Sequence, residues 1–326
     1  MADILNTGLV VPEIFASHVV KQTSEKSNLI KSGIVSELTG SFSGEHGTLV
    51  KLPYFNDLNG DSQTMKKGQE STAQYITDGA DVAVVNARIK SFKAADVDKM
   101  ATGVDPLGAL ASGIGEYWAR EMQKIVLNSL KGAFGVMGSV NTVGSGAKTA
   151  IDSSMIVDAG YALGDNSDKI VGYAMHSLTV ANLTKQGLIQ PLTLPTGAIT
   201  GFSLLGKQVI IDDGLPFDTA KGEAISYAFG EGAFAYKDIP VSLPIELDRR
   251  ASFSETILHT RKAMILHPRG IKWTGDAAED PSNENLTKSA NWQRVYDAKD
   301  VRIVRIHHGL QNVDDAILKL VQALQK

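Results

Sequence analysis

The chain has 326 residues, 43% hydrophobic and 21% charged, which is enough to bury an ordinary core in one large or two ordinary domains. Its 32 basic and 36 acidic residues leave a formal charge of −4 with no long run of either sign, which excludes tight nucleic-acid binding through clustered Lys and Arg. The absence of cysteine removes disulfides, thiolate metal sites and cysteine nucleophiles together, and no apolar run approaches the ~20 residues that span a bilayer.

Residues 1–47 mix short apolar pieces with Ser, Thr and Gly and read as an arm that is ordered by something outside itself. No Lys or Arg precedes Lys21, so the basic start of a signal peptide is missing and a soluble protein is expected. Within the arm, VPEIFASHVVKQTSEKSNLI places Ile14, His18 and Val19 on one helical face. TLVKLPYF, from Thr48, has a strand pattern in Leu49, Leu52 and Tyr54, and Pro53 points to a sheet edge. ADVAVVNARIKSFKAADV alternates around Val82, Val84, Ile89 and Phe92. These two segments, joined by a polar loop, predict a long hairpin without a core of its own.

The loop carries a candidate calcium site in Asp57, Asn59 and Asp61, whose side-chain oxygens fall at the first, third and fifth places of a calcium loop. Ser62 and Gly68, however, stand where an EF-hand needs its invariant Gly and its bidentate Glu. A solvated turn rich in Asp, Asn and Gly is the expectation.

DPLGALASGIGEYWAREMQKIVLNSLKGAFG predicts a helix over 105–134, with Asp105 as N-cap and Pro106 at the first helical position. Leu107, Leu110, Ile114, Tyr117, Trp118, Met122, Ile125, Val126, Leu130 and Phe134 recur mostly three or four apart, and Glu116 with Arg120 forms an i,i+4 pair. Such a helix is ~44 Å long. Trp118 lies mid-stripe and is expected to be buried against a sheet, whereas Arg120 is expected to face solvent or a neighbour.

GSGAKT (Gly144 to Thr149) lacks the spacing of a phosphate loop and reads as a flexible connector. SSMIVDAGYALG predicts a helix capped by Ser153 or Ser154, KIVGYAMH a strand, SLTVANLTKQGLI a helix and KQVIIDDG a strand. AISYAFGEGAFAYKDI predicts a hairpin around Gly230 to Gly232, followed by two long extended stretches to Thr274, a polar loop near Pro281 and a last strand in DVRIVRIHHGL. VDDAILKLVQALQK then carries one apolar helical stripe of Val313, Ile317, Leu320, Val321 and Leu324. It must dock on its own chain or on a neighbour.

Catalytic chemistry finds no constellation here. The histidines (His18, His46, His176, His259, His267, His307 and His308) are scattered, and the adjacent pair alternates across a strand. Asp212-Asp213 reads as a turn before Gly214. No catalytic, cofactor-binding or metal residue is assigned, and no cofactor is expected.

LPYFNDLNGDSQ, YWAREMQKIV, LHPRGIKWT and NWQRVYD, in that order, closely resemble the major capsid proteins of tailed siphophages of Gram-positive bacteria, which have the HK-ninety-seven fold. The resemblance spans roughly residues 8–310. It implies an α+β capsid fold with an N-terminal arm (1–47), an E-loop hairpin (48–97), a P domain (98–149) with the 105–134 helix as spine, and an A domain (150–240). Residues 241–310 would supply the P-domain strands and complete both domains, and 311–326 the C-terminal helix. It further implies self-assembly into hexamers and pentamers of an icosahedral shell around double-stranded DNA. The partners implied are a portal protein, DNA held by weak non-specific contact and, since 1–47 shows no long helical repeat, a separate scaffolding protein. Assembly would take place in the host bacterial cytoplasm, and no membrane is involved. An encapsulin-like compartment shares the fold, and a soluble α/β enzyme is the rival from another class.

Overall fold

The computed structural model describes residues 34–40, 48–56, 61–68, 70, 73, 75–95, 106–193, 199–275 and 281–310. Two sheets and one long helix dominate these residues. The first sheet runs in the order β1 (Val35–Glu37), β11 (Phe234–Ile239), β13 (Glu255–Pro268), β3 (Asp78–Ala95) and β2 (Leu49–Phe55), with β12 (Ile245–Arg250) also paired to β13. The arm helix, the C-terminal helix and residues Asp57 and Asn59 lie outside the described residues.

The hairpin of β2 and β3 is not free-standing, because β3 changes partners along its length. Residues 78–84 pair with β2, whereas 85–95 pair with β13. Ala83 and Val85 are fully buried and share a cluster with Ile239, Ala263 and Ile265. The hairpin therefore has no core of its own, but its base is embedded in that of the sheet. Pro53 does sit on an edge strand, where its missing N–H costs no ladder bond.

Helix α1 (Pro106–Met137) runs three residues past the expected end. Gly135 does not stop it; Gly138, with φ +59°, does, and its N–H bonds back to the Phe134 carbonyl at 3.1 Å. The first half of the helix packs on the first sheet, where Ile114 and Trp118 meet Ile245 and Leu258. In the second half, Met122, Val126, Leu130 and Phe134 join Tyr227, Phe229, Phe234, Met264 and Leu266. The helix thus ties the two sheets together.

The second sheet runs β4 (Thr142–Ala150), β16 (Ile303–Gly309), β10 (Glu223–Gly230), β5 (Ile170–Met175), β8 (Lys207–Ile211), β7 (Ile199–Leu204) and β6 (Ile189–Thr193), with β9 (Phe217–Asp218) beside β10. Helices α2 (Ser153–Tyr161) and α3 (Ser177–Lys185) accompany it. Its core brings Ile156, Leu183, Tyr173 and Met175 together with Val304 and Ile306, so the last described strand completes it.

Four local expectations are corrected. The 144–149 connector is β4, paired in parallel with β16; Gly144 and Gly146, at φ +85° and +77°, absorb the register shifts of an irregular ladder. β10 and β11 do not form a hairpin, for they enter different sheets, and the glycines between them turn the chain from one sheet to the other. Helix α2 is capped by Asp152, whose Oδ1 accepts from Met155 N at 2.9 Å, so Ser153 is its first helical residue. The polar stretch after Pro281 holds a short helix α4 (Asn283–Thr287), capped by Ser282, which packs Leu286 into the main core. A two-stranded pair of β14 (Ile271–Trp273) and β15 (Trp292–Arg294) flanks it.

Candidate functional site

Among the described residues no group of three or more His, Asp or Glu is arranged to hold a metal ion. The titratable pairs each serve the fold locally. Asp213 accepts from Ser177 N at 3.1 Å at the start of α3, and its hydrogen bonds to Ser177 hold its carboxyl below the usual range. His176, stacked on Phe217 with centroids 4.3 Å apart, accepts from Leu178 N, and burial lowers its pKa. Asp212 turns the other way, with Oδ1 accepting from Gly214 N at 2.7 Å. The adjacent histidines do split across β16. His307 meets Glu223 at 3.1 Å, whereas His308 is buried beside Ser226, and burial brings its pKa down to about 4.

The surface that stands out is the end of the hairpin. Phe55, Met65, Tyr75 and Ile76 are 80%, 97%, 97% and 65% exposed, and the strands are joined there by Asn56 bonding to the backbone and hydroxyl of Thr77. Asp61 is exposed too. Among the described residues these large apolar side chains are left exposed together at one end of the hairpin.

The root of the hairpin is the opposite: closely packed and bonded to three separate segments. Asp81 of β3 is buried; its Oδ1 accepts from His267 Nε2 and from Val82 N, both at 2.9 Å, and its Oδ2 from Gly270 N at 2.8 Å. Burial works to raise its pKa, but His267 and the two amides together bring it below the ordinary carboxylate value. Tyr54 of β2 packs edge-on against Tyr296 at 4.6 Å and donates to the Val295 carbonyl at 3.3 Å. Gly270 is required where it stands: φ is +84°, and a Cβ would come within 2.6 Å of the Tyr296 ring. His267 stacks near Trp292, which meets Trp273 edge-on at 5.0 Å.

This root brings together the short stretches that looked distinctive in the sequence. Tyr54 comes from the first, His267 to Trp273 from the third, and Trp292 and Tyr296 from the fourth; the second, on α1, packs through Met122 and Val126 into the same core as Trp273 and Trp292. Asp81 was missed. A lone Asp in an alternating strand carries no local signal; only its 2% side-chain exposure beside His267 reveals it.

This subunit exposes apolar side chains at one end of a hairpin that is anchored at its root. Its fold is that of phage shells, of the HK-ninety-seven type. The capsid of Ralstonia phage GP4 superposes with a TM-score of 0.57, covering 90% of this chain and 91% of that one at 10% identity. The capsid of an empty GTA particle does so with a TM-score of 0.56, covering 95% and 94% at 14% identity. The chain therefore has the phage-capsid fold.

Sequence narrows the class. Residues 42–302 match the Gp13-like family, described as major capsid protein 13-like. The chain is also 37% identical over 315 residues to the major capsid protein of Bacillus phage SPP1, spanning 93% of this chain and 97% of that one. It belongs to the Gp13-like family of major capsid proteins, which are structural proteins of the phage virion.

Proposed function

We propose that this chain is the repeating unit of an icosahedral phage shell, set in hexamers and pentamers and enclosing double-stranded DNA. The observation that carries the reading is the hairpin, with an apolar end that stands exposed among the described residues and a root fixed to the subunit body. In this reading residues 1–47 are the arm, 48–97 the E-loop, 98–149 with the α1 spine the P domain, 150–240 the A domain, and 241–310 the return that completes both. Helix 311–326 docks on its own subunit or on a neighbour. Each contact can be modest because closed symmetry repeats it many times. The net charge of −4 suits a lining that holds packaged DNA only weakly. A separate scaffolding protein guides assembly in the host cytoplasm, and a portal protein occupies one vertex.

Electron microscopy of the chain, expressed alone and with the scaffolding protein of the same phage, tests this. The chain alone is expected to give tubes, aberrant particles or free subunits, and the pair uniform closed shells. Uniform shells of native size from the chain alone would remove the scaffold from the proposal. Absence of closed particles from the pair would remove the shell.

A further inference from the structure

We propose that Asp81 is a positioning residue for assembly, which sets the direction in which the β2–β3 hairpin leaves the subunit. The proposal rests on the shell reading for its consequence, but its physical content can be measured on the unassembled subunit.

The backbone ladder alone leaves the hairpin poorly aimed. Pairing of β3 with β13 ends at Val85 opposite Ile265, and from Val84 outward β3 is laddered to β2 only. A two-stranded ribbon is the most readily twisted form of sheet, and it has little stability by itself. Core packing of Ala83, Val84 and Val85 holds the base of the ribbon, but outward of Val82 the ladder to β2 alone does not fix its direction.

Asp81 sits four residues beyond that last pair and returns the ribbon to the body. Its two oxygens take three donors: Val82 N on its own strand, and His267 Nε2 and Gly270 N at the end of β13 and the turn after it. Both amides can only donate, and an ionised carboxylate can only accept, so His267 donates through Nε2. Three donors thus converge on one carboxylate and fix its position between the two strands and the turn.

The turn that Asp81 grips is itself held. The Gly270 carbonyl accepts from Val295 N at 2.8 Å and Tyr296 N at 3.2 Å. Trp292, at the start of β15, donates through Nε1 to the Leu286 carbonyl at 2.8 Å, and both residues press on Gly132 of α1. The ribbon direction is thereby referenced to the long helix. Tyr54, on the second strand of the ribbon, makes the parallel connection to Val295. Leverage makes the point matter: six residues farther out, ~20 Å at strand rise, a swing of ~10° moves the chain by ~3–4 Å, which breaks van der Waals contact.

The test uses the full chain with Asp81→Asn, and His267→Gln as a second variant that leaves the carboxylate and both backbone bonds in place. Tyr54→Phe, which removes only the hydroxyl bond, serves for comparison. Hydrogen exchange on unassembled subunits is expected to show amides in 49–55 and 78–84 exchanging at least ~10-fold faster in both main variants, with α1 unchanged. Co-expressed with scaffold, both are expected to give particles of mixed diameter or open sheets where the original chain closes uniformly. Unchanged exchange in 78–84, or uniform shells of native diameter from both variants, would overturn the proposal. If Asp81→Asn does not fold, His267→Gln alone decides. Failure of the unsubstituted chain to close would count against the shell reading, and the exchange result would still judge the role of Asp81.

Discussion

Trp118 and Arg120 stand two residues apart on α1 and meet different environments. Trp118 is 1% exposed, and its Nε1 donates to Thr260 Oγ1 at 2.9 Å across to β13. Replacing it with Ala removes the ring and strands a buried hydroxyl, at a cost of ~3–5 kcal/mol; insoluble or unfolded subunits are expected on expression. Arg120 lies 3.9 Å from Glu116 with its side chain 64% exposed. Such a pair contributes little, so Arg120→Ala should unfold in denaturant within ~0.5 kcal/mol of the original. His308 gives a pH signature. Its pKa falls from 6.5 to about 4 on folding, so the unfolded chain takes up the proton first as pH drops. Stability should be level above neutrality, decline from pH 6.5 and stop declining near pH 4, a loss on the order of 3 kcal/mol. His176, also lowered, adds to the same decline. Asp81 and Asp213, with lowered carboxyl pKa values, lose their contributions only under still more acid conditions. Urea titrations across this range should show a shallower decline for His308→Gln.

Helix α1 contains glycines that local propensity treats alike and that packing does not. Gly113 faces open space, and Gly113→Ala should add ~1 kcal/mol of helix stability. At Gly132 a Cβ would run into the Leu286 carbonyl and the Trp292 indole, pushing α4 away and disrupting the bond between those two residues. Gly132→Ala should therefore destabilise the subunit, although the substitution favours helix. Opposite shifts of the denaturation midpoint are the expected outcome; the same sign at both sites would refute this account of how α4 seats on α1.

For the molecule as a whole, the hairpin separates folding from assembly. The side chains at its end are exposed, and the core of the first sheet begins at its root, so excising 56–67 should leave thermal stability within a degree or two. Shells should nevertheless fail to close with scaffold present, as judged by sedimentation and microscopy. A marked loss of stability in the excised subunit would show that the loop folds back on its own body.

Local physics made several elements of this protein legible in its sequence. A helix reveals its buried side every three or four residues, so the stripe through Ile114, Trp118 and Met122 identified the face of α1 that packs on the sheets. Pro53 announced an edge because it lacks a donor. Four short stretches together announced the capsid family, and both the family match and the fold agree. Beyond the β2–β3 hairpin, strand partnership was decided by tertiary structure. β10 and β11 adjoin in sequence yet enter separate sheets, while β4 finds β16 on the far side of the chain. The bond between Asp81 and His267 spans 186 residues. A strand carries its alternation in its own residues, but its unpaired N–H and C=O groups are chemically the same on every strand; which of them meet is settled only when the whole chain packs.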